Sequence, residues 1–195
     1  MDTLTINAYD AEAKNIAALH ATLKPVRIYE LVSRYFIIGG NTVDVGCGIG
    51  RDTDWLALQG YRVVGIDGSE EMLKQADALY PDRTFFVDLL PLLETLKNGA
   101  YQNILCSAVL MHLNSDELAL ACKRLAALMA EGASLIVSFR GTGEADKREG
   151  GKLYEAIDVD HFIQLFREGG VSLSFSETEL EAARNLTWHN LVFKK

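Results

Sequence analysis

A chain of 195 residues with 49% hydrophobic composition can bury one sizeable core and has the length of one domain, so residues 1–195 are expected to form a single unit. Its 27 acidic against 19 basic residues leave a net charge of −8 and no basic stripe to hold a phosphate backbone, which disfavours a nucleic-acid partner. Cys47, Cys106 and Cys122 have no paired spacing, which argues against a disulfide framework or a zinc ribbon; no metal site is expected. Without a secretory signal pattern or a membrane-length apolar run, the expected location is the cytoplasm.

In chain order, two helical segments come first, about 9–23 and 26–36, parted by Pro25, which suits a first helical position. They are expected to cover a sheet or a ligand within an N-terminal section, 1–40. From 41 to 140, short apolar runs alternate with stretches of helical period, the pattern of βαβ units and a parallel sheet. Strands are predicted at 42–46, 61–66, 84–87, 102–107 and 133–139. Ser69 reads as an N-cap, and Asn114 with Glu117 three positions later reads as a capping box. In the last section, 141–195, the glycines Gly141, Gly143, Gly150 and Gly151 mark the loop 140–156 as a candidate lid. A helix from Asp158 to Glu168 then ends at Gly169-Gly170. Two final strands, 171–175 and 187–193, are predicted as a half-exposed antiparallel pair.

The most informative segment is Val43-Asp44-Val45-Gly46-Cys47-Gly48-Ile49-Gly50-Arg51, a strand running into a glycine loop that opens a helix. Dinucleotide folds space their glycines G-x-G-x-x-G, but the third position here is Arg51 and the spacing is G-x-G-x-G. Asp44, two residues before the first glycine, would repel a pyrophosphate but can accept hydrogen bonds from a cationic ligand. The plainer alternative is that the glycines only make a tight turn.

This combination resembles motif I of the class I S-adenosylmethionine-dependent methyltransferases, and the resemblance extends over roughly residues 41–140. It implies a Rossmann-like α/β fold, with a seven-stranded, mostly parallel sheet, an antiparallel final strand and helices on both faces. It also implies S-adenosyl-L-methionine as cofactor, S-adenosyl-L-homocysteine as product, and a cofactor loop from Gly46 through Cys47 and Gly48 to Gly50. Asp67, closing Val-Val-Gly-Ile-Asp, matches the family's ribose-binding carboxylate, and a carboxylate can accept both hydroxyls of a diol. Asp67-Gly68-Ser69 also reads as a plain turn and N-cap. Asp88 matches the position that accepts the adenine amino group, with Leu89 donating from its backbone. Gly68, Ser69, Met72 and Ser107 complete the expected cofactor set, and Cys47 is read as a packing residue rather than a nucleophile.

Methyl transfer is an in-line displacement that alignment and water exclusion can accelerate without a dedicated base. In the family, the end of the fourth strand, here Ile104 to His112, points toward the transferred methyl group. It contains neither an Asn/Asp-Pro-Pro-Tyr motif nor a Pro-Cys nucleophile, which argues against the nucleic-acid methyltransferases those motifs mark. His112 is a candidate general base or a loop hydrogen-bonder. Arg140 is a candidate clamp for a substrate carboxylate or phosphate, or else a surface ion pair. Arg184, Trp188 and His189 fall near the same mouth, where a tryptophan reads as core. By analogy with the family, Tyr9 closes over the cofactor. The expected function is methyl transfer to a small-molecule acceptor. The alternative is a non-catalytic cofactor-binding module, and a nicotinamide oxidoreductase is disfavoured by the glycine spacing.

Overall fold

The computed structural model describes residues 1–20, 22–142, 147–182 and 184–195. Two helices, α1 (Thr3–His20) and α2 (Val26–Tyr35), precede an alternating run of β1 (Asn41–Val45), α3 (Arg51–Leu58), β2 (Arg62–Asp67), α4 (Glu70–Leu79), β3 (Phe85–Val87) and β4 (Tyr101–Ser107). There follow α5 (Ser115–Leu128), β5 (Met129–Arg140), a hairpin of β6 (Lys147–Glu149) and β7 (Lys152–Tyr154), then α6 (Val159–Glu168), β8 (Ser172–Glu181) and β9 (Leu186–Lys194). Seven strands make one sheet in the order β3-β2-β1-β4-β5-β9-β8. All neighbours run parallel except β9, which is antiparallel to both β5 and β8. This is the Rossmann-like architecture with a reversed last strand that was expected.

Helices cover both faces because the central strands carry apolar residues at alternate and intervening positions alike. On one face, Ile28, Leu31 and Val32 of α2 pack with Leu105, Ile136 and Val192. On the other, Leu118, Cys122 and Leu125 of α5 and Phe162 and Phe166 of α6 pack with Cys106, Val137, Phe139 and Phe193. Each of those buried phenylalanines removes enough apolar surface from water to be worth about 1.5–3 kcal/mol. The capping box at Asn114 and Glu117 and the Ser69 cap both form. No described helix is long and apolar enough to cross a membrane.

The ends of the chain depart from the sequence reading in three places. First, α1 starts at Thr3 rather than near residue 9, because the Asp2 carboxylate accepts from the Thr5 backbone at 2.9 Å and caps the helix. Second, the predicted lid contains the β6–β7 hairpin, turning on Gly150 and Gly151 at φ 55° and 82°; Gly143 lies outside the described residues. The hairpin is tied to α1 by Arg148 on Asp2, by Lys152 on Glu12, and by the Leu153 N–H, which donates to Thr5 Oγ1 at 2.9 Å. Third, β8 runs to Glu181 rather than stopping at 175, its outer half pairing with β9 from Leu186 to Asn190. Residues 176–181 show no strong apolar face, so periodicity could not find them. At the end of α6 the left-handed residue is Gly170, at φ 77°, with Gly169 in ordinary geometry.

Thr5 is fully buried and holds the hairpin to α1 through one hydrogen bond. Thr5→Val keeps its shape but strands the buried Leu153 N–H and removes the hydroxyl that donates to Asp2 Oδ2 at 2.7 Å, so we expect a loss of about 1–3 kcal/mol in urea unfolding. An unchanged midpoint would show that this bond does not hold the hairpin.

Candidate active site

The strand order reverses between β1 and β4, and in open α/β sheets ligands bind outside the carboxyl ends of the strands at such a point. A cavity of about 560 Å³ opens there. The loop after β1 is bound to β2 by the Gly46 and Cys47 N–H groups, which both donate to the Ile66 carbonyl at 2.7 and 2.9 Å. Gly46 takes φ 72°, and a Cβ on it would meet Val109 Cγ2 at 2.2 Å. The loop therefore passes too close to the segment after β4 to carry any side chain at that position. Gly50, at φ 77°, sits against the Phe85 ring and starts α3 rather than lining the cavity. Gly46, Cys47, Gly48, Met72 and Ser107 do line it. Burial pushes the Cys47 thiol well above its ordinary pKa, so it stays protonated.

Asp44 is placed differently from expectation. It is buried behind the loop, away from the cavity, and accepts from Thr53 Oγ1 at 2.7 Å. Burial first, and the charge of Asp52 second, raise its pKa. It therefore braces the loop against α3 instead of meeting a ligand. Asp67 does reach the cavity, at the end of β2. Its Oδ2 accepts from the Gly48 N–H at 2.8 Å and its Oδ1 from the Ser69 N–H at 2.9 Å. A carboxylate has about four lone-pair sites, so two remain for a ligand diol. Burial raises the Asp67 pKa, and the backbone donors oppose that rise.

Asp88 also lines the cavity, but its four sites are already taken. Oδ1 accepts from the Leu89 and Glu94 N–H groups at 2.7 and 3.2 Å, and Oδ2 accepts from the Thr95 N–H and hydroxyl at 2.9 and 2.6 Å. Burial acts against this carboxylate, yet the donors outweigh it and hold the pKa below the ordinary value. The expected contacts from Asp88 and from the Leu89 N–H to an adenine are thus unavailable in this geometry. Asp88 instead caps the following turn, which presents Leu89, Leu90 and Leu93 as an apolar wall. Gly68 lies beneath Leu89 and Ile6, leaving no room for a Cβ. Ser69 accepts from the Met72 N–H and donates to Asp10 at 2.5 Å, joining α4 to α1.

α1 closes the other side of the cavity through Ile6 and Tyr9. Past β4, Ala108 is held at φ 62°, a strained value for a residue with a Cβ, and a short helical turn follows at Leu110–His112. His112 is buried but lines the cavity. Its Nδ1 lies 2.5 Å from the Leu153 carbonyl, which can only accept, so Nδ1 carries the proton and Nε2 the lone pair. Nε2 lies 3.1 Å from the Tyr9 hydroxyl, which therefore donates to it. Burial lowers the His112 pKa and raises that of Tyr9, so both are neutral at pH 7.

Arg140 takes the ion-pair alternative, with Nη1 and Nη2 on Glu149 at 2.7 and 2.9 Å and its guanidinium 4.8 Å from the Tyr154 ring centre. Trp188, read from sequence as core, lines the cavity, as does Arg184, which pairs with Glu181. His189 points to the opposite face, against Phe139. Sequence reasoning missed Asp10, Arg51 and Tyr154. Arg51 clasps Asp52 at 2.8 Å through both nitrogens, and Tyr29 donates to the same carboxylate. Nothing in their local pattern marks these residues, because Arg51 and Tyr154 reach the cavity from separate elements and Asp10 meets it only through Ser69.

Residues 42–132 match the methyltransferase domain family. A ubiquinone biosynthesis O-methyltransferase of Xanthomonas campestris pv. campestris is 32% identical over 124 residues, which is 62% of this chain and 51% of that protein. The chain thus spans about half the length of the curated relatives it matches. Among solved structures, the 1,6-didemethyltoxoflavin-N1-methyltransferase of Burkholderia thailandensis, with bound S-adenosylhomocysteine, superposes with a TM-score of 0.79 at 17% identity, covering 98% of this chain and 87% of that one. The 4+2 cyclase SpnF gives 0.69 at 15% identity, over 87% and 80% of the two chains. With the reversed last strand, the G-x-G-x-G loop at the switch point and the family match, residues 42–132 carry a methyltransferase domain of the class I S-adenosylmethionine-dependent type.

Proposed function

We propose that this protein transfers a methyl group from S-adenosylmethionine to a small-molecule acceptor. One observation carries the reading: the glycine loop, the Asp67 carboxylate with two open lone-pair sites, and the Tyr9–His112 pair share one cavity. The fold alone is not enough, since a cyclase shares it. The cavity volume suits a cofactor with a small second ligand. In this reading Asp67 holds the ribose hydroxyls, the loop from Gly46 to Gly48 runs under the methionine part, and the leucine wall after Asp88 packs on the purine. When bound, the cofactor supplies an electrophilic methyl group on a sulfonium.

The chain's own residues handle the proton. As the acceptor's O–H or N–H attacks, its proton passes to the Tyr9 oxygen while the Tyr9 proton passes to His112 Nε2, and the Leu153 carbonyl stabilises the resulting imidazolium. α1 and the hairpin exclude water above. The relatives' names support a small acceptor: one is an O-methyltransferase of ubiquinone biosynthesis and one an N1-methyltransferase of 1,6-didemethyltoxoflavin. The balanced charge of the cavity lining and the overall charge of −8 speak against nucleic acid. We also read the chain as one domain, and its three buried free cysteines suit the cytoplasm.

Calorimetry should find binding of S-adenosylmethionine and S-adenosylhomocysteine but not NADH. Asp67→Ala should weaken both by about 10–100-fold, the cost of charge-assisted hydrogen bonds to a diol. NADH binding alone, or no binding, would overturn the reading.

A further inference from the structure

The cavity continues beyond Tyr9 and His112 onto the outer half of the sheet, and the strand register there defines its floor. Ser107 pairs with Ser138, and Ser138 with Asn190. Two residues further along β5, Arg140 pairs with Trp188, and Trp188 with Glu179. Residues opposite one another on paired strands share a face. Ser138, Arg140, Trp188, Asn190 and Glu179 all line the cavity, so two cross-strand rows lead outward from the end of β4.

The second row is unfinished. The chain has two tryptophans, and Trp55 is covered by Tyr29, stacked at 3.8 Å and 3°. Among the described residues, no ring stacks on Trp188, although its Nε1 donates to Glu181 at 3.0 Å and so fixes the indole plane. On one side of it, Arg140 Nε is buried without a partner among the described residues. On the other, Glu179 makes no ion pair or hydrogen bond there, whereas Glu177 is held by Arg27 and Glu181 by Arg184. Strands lie about 4.8 Å apart, so Arg140 and Glu179 stand about 10 Å apart across the indole, the span of one or two fused rings.

We propose that the methyl acceptor is a planar aromatic or heteroaromatic molecule stacked on Trp188, with an oxo or hydroxyl edge toward Arg140 and an N–H or O–H edge toward Glu179. An aliphatic acceptor would leave the indole face bare and the buried Arg140 Nε unanswered. This names the substrate class for the methyl-transfer reading above and rests on it.

Trp55→Phe leaves Trp188 as the sole tryptophan and changes no residue of the cavity. With this protein saturated in S-adenosylhomocysteine, protocatechuate or lumazine should quench the fluorescence saturably, and cyclohexanediol should not. By calorimetry on the otherwise native chain, Trp188→Leu should weaken the planar probe about 10-fold, the worth of one aromatic contact, while S-adenosylhomocysteine binds as before. If S-adenosylhomocysteine binds but neither planar probe does, or cyclohexanediol binds equally well, the acceptor class is wrong and the cofactor reading stands. An unchanged affinity in Trp188→Leu has the same meaning. Failure of S-adenosylhomocysteine to bind overturns both. Should Trp188→Leu not fold, the quenching experiment decides alone.

Discussion

Gly46→Ala should lower the thermal midpoint by about 5–20 °C and abolish measurable binding of S-adenosylhomocysteine by the folded fraction. Two penalties coincide. A residue with a Cβ at φ 72° is strained by about 1–2 kcal/mol. The new methyl would also lie 2.2 Å from Val109 Cγ2, and Val109 is itself buried and cannot simply swing away. Overpacking of that kind costs about 1–3 kcal/mol more. Together these remove a large part of the net stability of an ordinary domain. Whatever relaxation occurs must part the loop after β1 from the segment after β4, and those are the two walls on which the cofactor would rest. Differential scanning calorimetry checks the first effect and isothermal titration the second. A midpoint within about 2 °C of the parent would mean that the loop has more room than its contacts show.

Tyr9→Phe is expected to reduce turnover by about 100-fold with an acceptor whose O–H or N–H must be lost, without altering cofactor affinity. Phenylalanine keeps the ring packed beside His112, at 5.6 Å and edge-on, so the change removes little except the hydroxyl. His112→Ala should cost a similar factor, and the double variant should cost no more than either alone, because the two act as one relay. His112→Ala also leaves the Leu153 carbonyl without its donor and empties a buried site, so Tyr9→Phe is the cleaner comparison. The acid limb of the parent's pH profile has a defined sign. Only neutral His112 can take the Tyr9 proton, and burial places its pKa below the ordinary imidazole value. Activity should therefore hold at about pH 6.5 and fall only below it, as His112 becomes charged. The same depressed pKa links to stability. An unfolded imidazole binds a proton that the folded one refuses, so this contribution is present above about pH 6.5 and is lost as pH falls toward the folded value. Full turnover in Tyr9→Phe across this range would remove the relay from the mechanism.

What the sequence determined by itself rested on local pattern. The parallel strands were legible because two-sided burial demands short apolar runs, and β1, β2, β4 and β5 lie close to where those runs stand. The cofactor loop was legible because glycine spacing is a statement about backbone conformation, and Gly46, Gly48 and Gly50 all take positive φ. The caps at Ser69 and Asn114 were legible for the same reason, being satisfied within four residues. The tertiary structure alone decided which side chains are free to act. Asp44, Asp67 and Asp88 look equivalent as acidic residues at strand ends. Thr53 and burial withdraw the first, four donors saturate the third, and only Asp67 keeps lone pairs turned to the cavity. Tyr9 meets His112 across 103 positions, and Arg140, Trp188 and Glu179 form a row only through strand register. Such pairings are invisible to periodicity, since hydrogen-bond saturation and cross-strand alignment belong to neighbours in space and leave no mark on neighbours in the chain.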